Sequence, residues 1–421
     1  MFETLSMIGL GYIGLPTATL FASRRKKVIG VDVNAYAVDT INQGRIHIVE
    51  PELDMLVQAA VSGGYLRATL APEAADAFLI AVPTPFLEGN KPDLSYIEQA
   101  AKAIAPVLVK GNLVILESTS PVGTTEQLAQ WLAEARPDLS FPQQAGEEAD
   151  IQVAYCPERV LPGRVVHELV SNDRVIGGMT QKATDMAIEL YRIFVEGDLV
   201  PTNARTAEMC KLTENSFRDV NIAFANELSL ICDRLNINVW ELISLANRHP
   251  RVNILQPGAG VGGHCIAVDP WFIVDKTPEE ARIVRLAREI NDYKPEWVVE
   301  KVKAAIAGVL SLRPDARMAD IKVACLGLAF KPDIDDLRES PAVGVAKKIA
   351  GLGCKVHAVE PNISELPAKL QGTGIELSAL GSAMADADVV CVLVKHRSFI
   401  EQVAEIRKHA QCIDVVGLFA E

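Results

Sequence analysis

The sequence contains no apolar run long enough to span a membrane and no excess of basic residues. Its longest apolar stretches include DVVCVLV at 388–394, far short of the roughly 18 residues that a spanning helix needs. Lysine and arginine number 41 against 54 aspartate and glutamate residues, which gives a formal net charge of −13. This balance disfavours nucleic acid as a partner, so any anionic ligand must be held by local Arg and Lys side chains.

The N-terminal stretch MFETLSMIGLGYIGLP lacks the basic start and the cleavage site of a signal peptide. The eight cysteines are scattered without CxxC pairs, which indicates neither a zinc cluster nor a disulfide framework. We therefore expect a reduced, cytoplasmic protein without a metal site, and with neither membrane nor nucleic acid as a partner.

The order of strands and helices predicts an α/β fold with two Rossmann-like doubly wound domains. Between residues 1 and 200, strands such as KVIGVDVN, AFLIAVPTP and NLVILESTS alternate with helical segments, which favours a parallel sheet. Residues 204–235 contain neither Gly nor Pro and predict one helix of about 45 Å, long enough to link two domains. This helix opens a helical region over 201–312. Residues 318–421 repeat the pattern of strand, glycine turn, helix and strand ending in an acidic residue.

A GxGxxG pattern, formed by Gly9, Gly11 and Gly14, follows the first strand and opens a helix. The second strand ends at Asp32, 18 residues after Gly14. Such glycines let the backbone approach a pyrophosphate at a helix N-terminus, and the carboxylate accepts hydrogen bonds from the ribose. A tight turn without a ligand is the alternative. The full context favours NAD, because Asp32 would repel the 2′-phosphate of NADP.

Other residues extend this predicted cofactor site. Tyr12 and Ile13 fill the variable positions of the loop and should lie over the pyrophosphate. Thr84 and Thr119 follow the third and fourth strands of the buried type. Since ligands of open α/β sheets bind at the carboxyl ends of strands, these threonines should line the nicotinamide side.

The stretch GAGVGGHCIAVDP at 258–270 places four glycines shortly before Cys265. A free cysteine is most often a small buried hydrophobe, but glycines allow a substrate to approach, and a thiolate there could attack a carbonyl. The spacing alone leaves both interpretations open.

The predicted long helix carries a polar stripe at positions i, i+3, i+7 and i+10, namely Glu208, Lys211, Asn215 and Arg218. Such a stripe is usually a solvated face. Because the helix continues into the apolar stretch NIAFANELSLIC, the stripe could instead face a cleft, where the lysine would stabilise an oxyanion or exchange protons.

A set of motifs resembles the UDP-glucose/GDP-mannose dehydrogenases in order along nearly the whole chain. The motifs are GLGYIGLP, VPTP, ESTSPVG, CPERVLPG, EMCKLTENSFRDVNIAFANE, GVGGHCIAVDP and LAFKPDIDDLRES. The resemblance implies two successive NAD-dependent oxidations, from alcohol through aldehyde to carboxylate. The stretches NRHPRVNILQPG and GGHCIAVDPWF are most similar to members that oxidise UDP-N-acetyl-D-mannosamine. His264, where UDP-glucose enzymes more often have serine, is a further hint.

The resemblance assigns the covalent chemistry to the glycine-rich loop. Cys265 is implied as the nucleophile that forms a thiohemiacetal with the aldehyde and then a thioester. Asp269 is implied to help activate the water that hydrolyses the thioester.

Further catalytic roles are implied for residues outside that loop. Lys211 corresponds to the catalytic lysine of the family and Asn215 to its oxyanion partner. Glu158, in CPERVLPG, would act with Thr119 and ordered water as an acid/base relay, and the sequence leaves open which carboxylate removes which proton.

The resemblance also implies three domains and the residues that bind ligands. Residues 1–200 would bind NAD with Thr125 among the contacts, 201–312 would form a helical dimerisation domain with the cysteine loop, and 318–421 would bind the UDP-sugar. His249 and Arg251 would reach the site of the neighbouring subunit in a homodimer. The remaining substrate contacts would be Arg159, Val160, Lys211, Asn215, Arg218, Gly262, Phe330, Lys331 and Arg338.

One position departs from the family pattern, and the choice of substrate stays open. Val416 stands where the family often has a basic residue before glycine, so one contact to the nucleotide is absent or supplied elsewhere. The same chemistry could act on UDP-glucose, UDP-N-acetylglucosamine or GDP-mannose. Two functions of a different class compete with this chemistry: a single-hydride hydroxyacid-type dehydrogenase, which needs no cysteine, and an NAD-binding scaffold or sensor.

Overall fold

The structure is a computed structural model that describes residues 2–160, 163–263, 265–409 and 411–420. His264, the residue that hinted at the sugar, lies outside the described residues. The chain divides into two compact units, Met1–Glu214 and Asn215–Glu421. Within the described ranges, no helix combines the length and the apolar character needed to cross a bilayer.

The first unit alternates strands with helices. Its elements in chain order are β1 (Thr4–Ile8), α1 (Gly14–Ser23), β2 (Lys27–Val31), α2 (Ala35–Asn42), α3 (Leu53–Ser62), β3 (Leu66–Thr69), β4 (Ala77–Ile80), β5 (Phe86–Leu87), β6 (Lys91–Pro92), α4 (Ser95–Ile104), β7 (Leu113–Leu116), α5 (Thr124–Ala135), α6 (Pro142–Ala145), β8 (Gln152–Tyr155), α7 (Val165–Ser171), β9 (Arg174–Gly178), α8 (Gln181–Tyr191), β10 (Leu199–Asn203) and α9 (Ala204–Leu235), within which the unit ends.

The sheet of the first unit has the order β3-β2-β1-β4-β7-β8-β9-β10. Its strand pairs are parallel apart from the β8–β9 pair, which is antiparallel. The central strands AFLI and LVIL are buried throughout, because helices cover both faces of the sheet. Alternate residues pack into separate cores. Leu79, for example, belongs to one hydrophobic cluster, and Phe78 and Ile80 belong to another.

The second unit combines long helices with a second sheet of order β13-β12-β11-β14-β15, in which the strand pairs are parallel. Its elements after α9 are α10 (Val239–Ala246), α11 (Asp269–Lys276), α12 (Arg282–Leu312), β11 (Lys322–Leu326), α13 (Pro341–Gly351), β12 (Lys355–Val359), β13 (Ile375–Leu377), α14 (Leu380–Asp386), β14 (Val389–Val392), α15 (Arg397–Ile400), α16 (Val403–Ile406) and β15 (Cys412–Asp414).

These two sheets and the 32-residue helix α9 confirm the predicted fold class, with its two Rossmann-like parts and its long central helix. Buried polar groups fix the pairing of α9 with α12. Arg288 forms an ion pair with Asp219 at 2.7 Å, and Asn291 donates to the same carboxylate at 2.8 Å. Such groups are tolerated in a core because each has a partner of complementary charge or hydrogen-bonding character.

Lys294 is an unusual buried cation on α12, with 1% of its surface exposed. Its ammonium group donates a hydrogen bond to the hydroxyl of Ser229 and lies 4.0 Å from the centre of the Trp297 ring. Desolvation lowers the pKa of Lys294 to about 7, Asp233 acts in the opposite direction, and Lys301 lowers it further. The folded state therefore binds fewer protons here than the unfolded state between pH 7 and 10.5.

We expect the fold to gain stability as pH rises through this window. Unfolding takes up a proton at Lys294, and proton uptake becomes less favourable as pH rises. Relative to a Lys294→Met variant, the free energy of unfolding of the wild type should rise by about 2 kcal/mol between pH 7 and pH 9, measured by urea denaturation. Lys303→Met, at an exposed position on the same helix, is the control. The difference in free energy of unfolding between the wild type and Lys303→Met should stay constant over this pH range. A pH-independent difference for Lys294→Met would contradict the prediction.

Candidate active site

The glycine turn after β1 has the geometry of a dinucleotide-binding loop. Gly9 has φ +92° and donates from its N–H to the carbonyl oxygen of Val31 at 2.8 Å. A Cβ on Gly14, the first residue of α1, would lie 1.8 Å from the Gly9 carbonyl oxygen, so this position requires glycine. A Cβ on Gly11 would meet no atom within 4 Å, and this residue is exposed. The turn thus presents open backbone beside the N-terminus of α1.

Asp32 follows β2 and is half-buried beside this turn. Its Oδ2 accepts from the N–H of Leu10 at 2.9 Å, and its Oδ1 accepts from the N–H of Asn34 at 2.9 Å. Each carboxylate oxygen has a further lone pair for a ribose hydroxyl. Tyr12 is 38% exposed and Ile13 is half-buried, so both side chains lie at the surface of the loop.

Thr84 and Thr119 lie close together, beyond the carboxyl ends of the neighbouring strands β4 and β7. The hydroxyl of Thr84 donates to the carbonyl oxygen of Thr119 at 2.6 Å, and both residues are half-buried. The two threonines therefore share one edge of the sheet in the first unit, and their predicted place on the nicotinamide side stays a prediction.

Thr125 has a different environment from the other predicted cofactor contacts. It is fully buried near the start of α5, where its N–H and its hydroxyl donate to Glu208 at 2.8 Å and 2.6 Å. Glu208 also accepts from the N–H of Gly123 at 2.7 Å, and burial raises its pKa. Glu208 belonged to the stripe for which a solvated face or a cleft was expected. It instead lies beneath the N-terminus of α5, whose orphan N–H groups it satisfies.

Glu158 lies in a buried network of charged and aromatic side chains. It forms an ion pair with Arg174, and both side chains are at least nine-tenths buried. The Arg174 guanidinium stacks 4.6 Å from the Tyr191 ring centre and 5.3 Å from that of Phe194. The Tyr191 hydroxyl donates to Glu117 at 2.5 Å. Burial and the nearby Glu158 charge raise the pKa of Glu117 to about 8, against smaller opposite effects of Arg174 and Tyr191.

Arg159 and Val160 follow Glu158 on the chain but face different surroundings. The guanidinium of Arg159 forms a two-pronged ion pair with Glu214, through Nε at 3.1 Å and Nη2 at 2.7 Å. Val160 is half-buried against the core of the first unit. A bidentate partner makes Arg159 a positioned cation rather than a mobile surface charge.

In the second unit, Cys265 is exposed and lies one turn before α11. Its carbonyl oxygen accepts from the N–H of Val268 at 3.0 Å and of Asp269 at 2.8 Å. Asp269 is the first residue of α11 and is buried, and its Oδ2 accepts from the side-chain amide of Asn215 at 2.5 Å. The structure therefore brings three of the predicted catalytic residues of this unit together.

The glycines before Cys265 allow close packing against the segment that contains Phe330. A Cβ on Gly262 would lie 2.4 Å from the Glu339 carbonyl oxygen and 2.9 Å from Phe330 Cβ. Gly263 has φ +84°, a conformation that favours glycine. The start of the loop is fixed by Asn226, which accepts from the N–H of Gly258 at 2.9 Å. Gly262 and Gly263 therefore allow the cysteine loop to pack closely against the segment that contains Phe330.

Lys331 and Arg338 are two further predicted substrate contacts of the second unit, and Lys331 is half-buried like Phe330. The Lys331 ammonium group lies 5.8 Å from the Phe330 ring centre. Arg338 is exposed and its guanidinium pairs with Asp336 at 2.6 Å. Val416, which stands where the family often has a basic residue, is half-buried, and its N–H donates to Asp414 at 3.1 Å.

Three sequence models of one family match the chain. They describe the NAD binding domain at residues 3–195, the central domain at 205–293 and the UDP binding domain at 324–421 of the UDP-glucose/GDP-mannose dehydrogenases. This chain belongs to the UDP-glucose/GDP-mannose dehydrogenase family. It is therefore a nucleotide-sugar dehydrogenase, an oxidoreductase with NAD as its cofactor, which confirms the predicted family, enzyme class and cofactor.

Individual relatives are similar over almost their whole length. The UDP-N-acetyl-D-mannosamine dehydrogenase of Yersinia pestis is 66% identical over 99% of both chains. The NDP-N-acetyl-D-galactosaminuronic acid dehydrogenase of Ralstonia nicotianae is 63% identical over 100% of this chain and 97% of its own. The solved structure of the UDP-D-ManNAc dehydrogenase of Pyrococcus horikoshii has a TM-score of 0.86 at 38% identity, covering 99% of this chain and 96% of its own.

The cofactor loop of this family member fits NAD. Gly11 leaves space for a pyrophosphate at the α1 N-terminus, where backbone N–H groups favour an anion. The backbone N–H of Leu10, within the glycine loop, holds the Asp32 carboxylate. The group that would bind the ribose is therefore fixed to the loop that would bind the pyrophosphate.

The predicted residues of α9 and of the segment after α10 have mixed exposure. Lys211 is half-buried in the first unit, whereas Arg218, His249 and Arg251 of the second unit are exposed. The backbone N–H of Arg251 donates to His249 Nδ1 at 3.3 Å.

Residue-level reasoning missed the partners of the predicted site. Arg174 and Tyr191 belong to β9 and α8, outside the CPERVLPG motif, and their residue type alone gives no hint of a buried network. Glu117 did offer a signal, because it follows the fully apolar strand LVIL and precedes Thr119. A carboxylate at the end of a buried strand is a candidate for a shifted pKa.

Proposed function

We propose that this dehydrogenase oxidises UDP-N-acetyl-D-mannosamine at C6 to UDP-N-acetyl-D-mannosaminuronate. The observation that carries the proposal is the 66% identity, over 99% of both chains, to the Yersinia pestis UDP-N-acetyl-D-mannosamine dehydrogenase. The exposed Cys265 beside the buried pair of Asp269 and Asn215 supports a covalent route to the acid.

Cys265 is proposed as the nucleophile. Its sulfur adds to C6 of the aldehyde to form a thiohemiacetal, and loss of a hydride from that carbon leaves a thioester. Water then attacks the acyl carbon, the carbon–sulfur bond breaks, and the thiolate and the carboxylate are released. NAD, when bound, accepts one hydride in each of the two oxidations.

Asn215 and Asp269 are proposed to act beside the thiol. The Asn215 amide has two N–H donors, of which one binds Asp269, so the second can bind the oxyanion. Asp269 is buried and is held by this amide and by the N-terminus of α11, so its carboxylate can orient the hydrolytic water. The backbone N–H of Asp269 donates to the Cys265 carbonyl, which couples the positions of the two residues.

Acid and base roles are proposed for residues of the first unit. Lys211 would stabilise the oxyanion or exchange a proton, and Glu158 with Thr119 would act through ordered water. The ion pair with Arg174 keeps the Glu158 carboxylate in one position, which suits a group that orders water.

Ligand binding follows the three-part division that we propose, with NAD held by 1–200, the cysteine loop and subunit contacts supplied by 201–312, and the UDP-sugar held by 318–421. The cofactor contacts are proposed to be Gly9, Gly11, Tyr12, Ile13, Gly14, Asp32, Thr84 and Thr125. The substrate contacts are proposed to be Arg159, Val160, Lys211, Asn215, Arg218, His249, Arg251, Gly262, Phe330, Lys331 and Arg338.

The proposal is tested by the yield of NADH per sugar consumed over a panel of nucleotide sugars. UDP-N-acetyl-D-mannosamine should give two NADH and a carboxylate, with the highest kcat/KM of the panel. UDP-glucose, UDP-N-acetylglucosamine, UDP-N-acetylgalactosamine and GDP-mannose are the competitors, the galactosamine sugar being included because of the Ralstonia relative. One NADH with a stable carbonyl product would refute the four-electron reaction, and a higher kcat/KM for a competitor would refute the sugar.

We also propose a homodimer formed through α9. Phe217, Phe224 and Ile231 repeat every seven residues on this helix and are 71%, 52% and 47% exposed. A sustained seven-residue repeat of exposed apolar side chains is typical of helices that pack against another helix. His249 and Arg251 are exposed on the same unit, as residues that reach a neighbouring subunit must be.

A Phe224→Asp substitution should weaken this dimer by about a hundredfold in Kd, because it buries a carboxylate in an apolar contact. Sedimentation velocity over a range of concentrations measures the change. Met55→Asp is the control, since Met55 is a similarly exposed apolar residue on α3 of the first unit. A monomeric wild type, or an unchanged Phe224→Asp dimer, would contradict the proposal.

A cytoplasmic location completes the proposal. The seven cysteines other than Cys265, all within the described ranges, are thiols without disulfide partners. Thiols persist in this form in reducing compartments.

A further inference from the structure

The second unit repeats the glycine turn of the NAD-binding loop. Gly327 follows β11 with φ +95°, and its N–H donates to the Val359 carbonyl oxygen at 2.8 Å. Gly9 makes the same bond to Val31 at the same distance after β1. The two turns therefore share one scaffold, in which the first strand ends on a glycine tied to the end of the second strand.

The acidic residue after the second strand has a different role in the two turns. In the first unit, Asp32 accepts one bond from the loop, at the N–H of Leu10, and remains half-buried. In the second, Glu360 Oε2 accepts from the N–H groups of Leu328 and Ala329 at 2.7 Å and 2.9 Å. The Glu360 side chain is 0% exposed, so it cannot reach a ribose hydroxyl. The carboxylate holds the protein's own loop instead of a ligand.

His396 binds both Glu360 and the backbone of Asp333. Its Nδ1 accepts from the N–H of Asp333 at 3.0 Å, so the ring proton of the neutral imidazole is on Nε2. Nε2 lies 3.0 Å from Glu360 Oε2 and donates to it, and both side chains are 0% exposed. One imidazole thus links the carboxylate to the end of the segment that begins at Leu328.

Two of the proposed substrate contacts lie within the segment 328–333 that Glu360 and His396 hold. Phe330 and Lys331 lie between the backbone groups held by Glu360 and the one held by His396, and both are half-buried. The N–H of Phe330 donates to the Asp336 carbonyl oxygen at 3.2 Å, and Gly262 of the cysteine loop packs against its Cβ. A shift of the 328–333 backbone would move both side chains together.

We propose that Glu360 and His396 are positioning residues for the nucleotide part of the substrate, because they fix the backbone of 328–333 that presents Phe330 and Lys331. The inference rests on the proposed function for the assignment of those two contacts. Glu360 stands where the first glycine turn has Asp32. In the second unit this carboxylate supports the protein's own loop and does not bind a ribose.

UDP is the probe for the test, since binding of UDP does not depend on the sugar or on turnover. A His396→Phe substitution in the full-length enzyme removes the acceptor for Asp333 and the donor for Glu360 while keeping an aromatic ring. We expect the Kd for UDP, measured by calorimetry, to rise about tenfold, with the Kd for NAD unchanged. In turnover, the KM for the nucleotide sugar should rise by a similar factor, whereas kcat should stay within about threefold.

Two further variants separate positioning from general damage to the unit. His409→Phe is the matched control, because His409 also bonds through both ring nitrogens, to the Ala387 carbonyl at 2.8 Å and the Gln411 N–H at 3.3 Å. His409→Phe should leave UDP binding unchanged. His396→Gln should recover most of the UDP affinity, because its amide can still donate to Glu360.

An unchanged Kd for UDP in a folded His396→Phe enzyme would overturn the inference, as would an equal loss of NAD affinity. If that variant does not fold, Glu360→Gln provides the same readout, because its amide nitrogen is mismatched to the donors around it. An unchanged UDP affinity there would likewise overturn it. Failure of the sugar proposal would appear separately, as wild-type UDP binding without oxidation of UDP-N-acetyl-D-mannosamine.

Discussion

A Cys265→Ser enzyme is expected to form carboxylate at least about a thousandfold more slowly than the wild type. The second oxidation needs a tetrahedral carbon from which a hydride can leave, and a thiolate adds to an aldehyde far more readily than a serine hydroxyl does. Cys265 is exposed and follows four glycines within residues 258–263, which supports the proposal that a sugar C6 reaches its sulfur. Carboxylate is measured by chromatography alongside NADH.

The covalent intermediate gives this prediction a second readout. With wild-type enzyme, hydroxylamine should divert the acyl group to a hydroxamate, and mass spectrometry should locate a substrate adduct on the peptide that contains Cys265. The Cys265→Ser enzyme should show neither product.

Cys412→Ser is the matched control for the loss of a thiol. Cys412 is half-buried on β15, and desolvation, with a smaller effect of Asp414, raises its pKa to about 12. A thiol of this kind is a poor nucleophile, so its removal should leave carboxylate formation unchanged. Normal carboxylate production by Cys265→Ser would refute the covalent route.

The fold was predictable because its main features are local in the sequence. Apolar runs ending in Gly, Thr or Asp mark the strands, and the long stretch without Gly or Pro marks α9. The echo of the first glycine turn in the second unit was also visible, as MIGLGY at 7–12 against CLGLAF at 325–330. Periodicity identifies which face of an element is apolar, and the sheet topology follows from the alternation of strands and helices.

The partners within the site were not predictable in the same way. Spacing placed Glu208 on one face with Lys211, but it could not show that Glu208 is buried beneath the N-terminus of α5. The pair of Glu360 with His396 joins residues 36 positions apart, one directly after β12 and the other directly before α15. Such contacts depend on how whole elements pack, which single-residue patterns do not encode. The roles of individual site residues therefore stay predictions.

Arg174→Met is expected to lower the free energy of unfolding by about 3 kcal/mol or more, measured by urea denaturation. Arg174 is the ion-pair partner of the buried Glu158 carboxylate, Glu117 adds a smaller charge effect, and the Arg174 side chain is 4% exposed. Methionine fills much of the volume but leaves the Glu158 carboxylate without its partner in the core. An uncompensated buried charge costs several kcal/mol, far more than the loss of a surface ion pair.

Arg205→Met provides the matched comparison, because Arg205 forms a close ion pair with Glu126 in which the two side chains are 64% and 41% exposed. Water screens that pair, so its loss should cost less than about 1 kcal/mol. Equal effects of the two substitutions would mean that the Arg174 pair is hydrated in the folded state, contrary to its burial.

The double variant Arg174→Met with Glu158→Gln distinguishes a charge effect from a packing effect. If the loss comes from the unpaired carboxylate, the neutral amide should restore about half of it or more, since replacing both members of a buried pair costs less than removing one. A double variant as unstable as Arg174→Met alone would assign the loss to the stacking of the guanidinium on Tyr191 and Phe194 instead. In that case the aromatic contacts, rather than the ion pair, hold Arg174 beside Glu158.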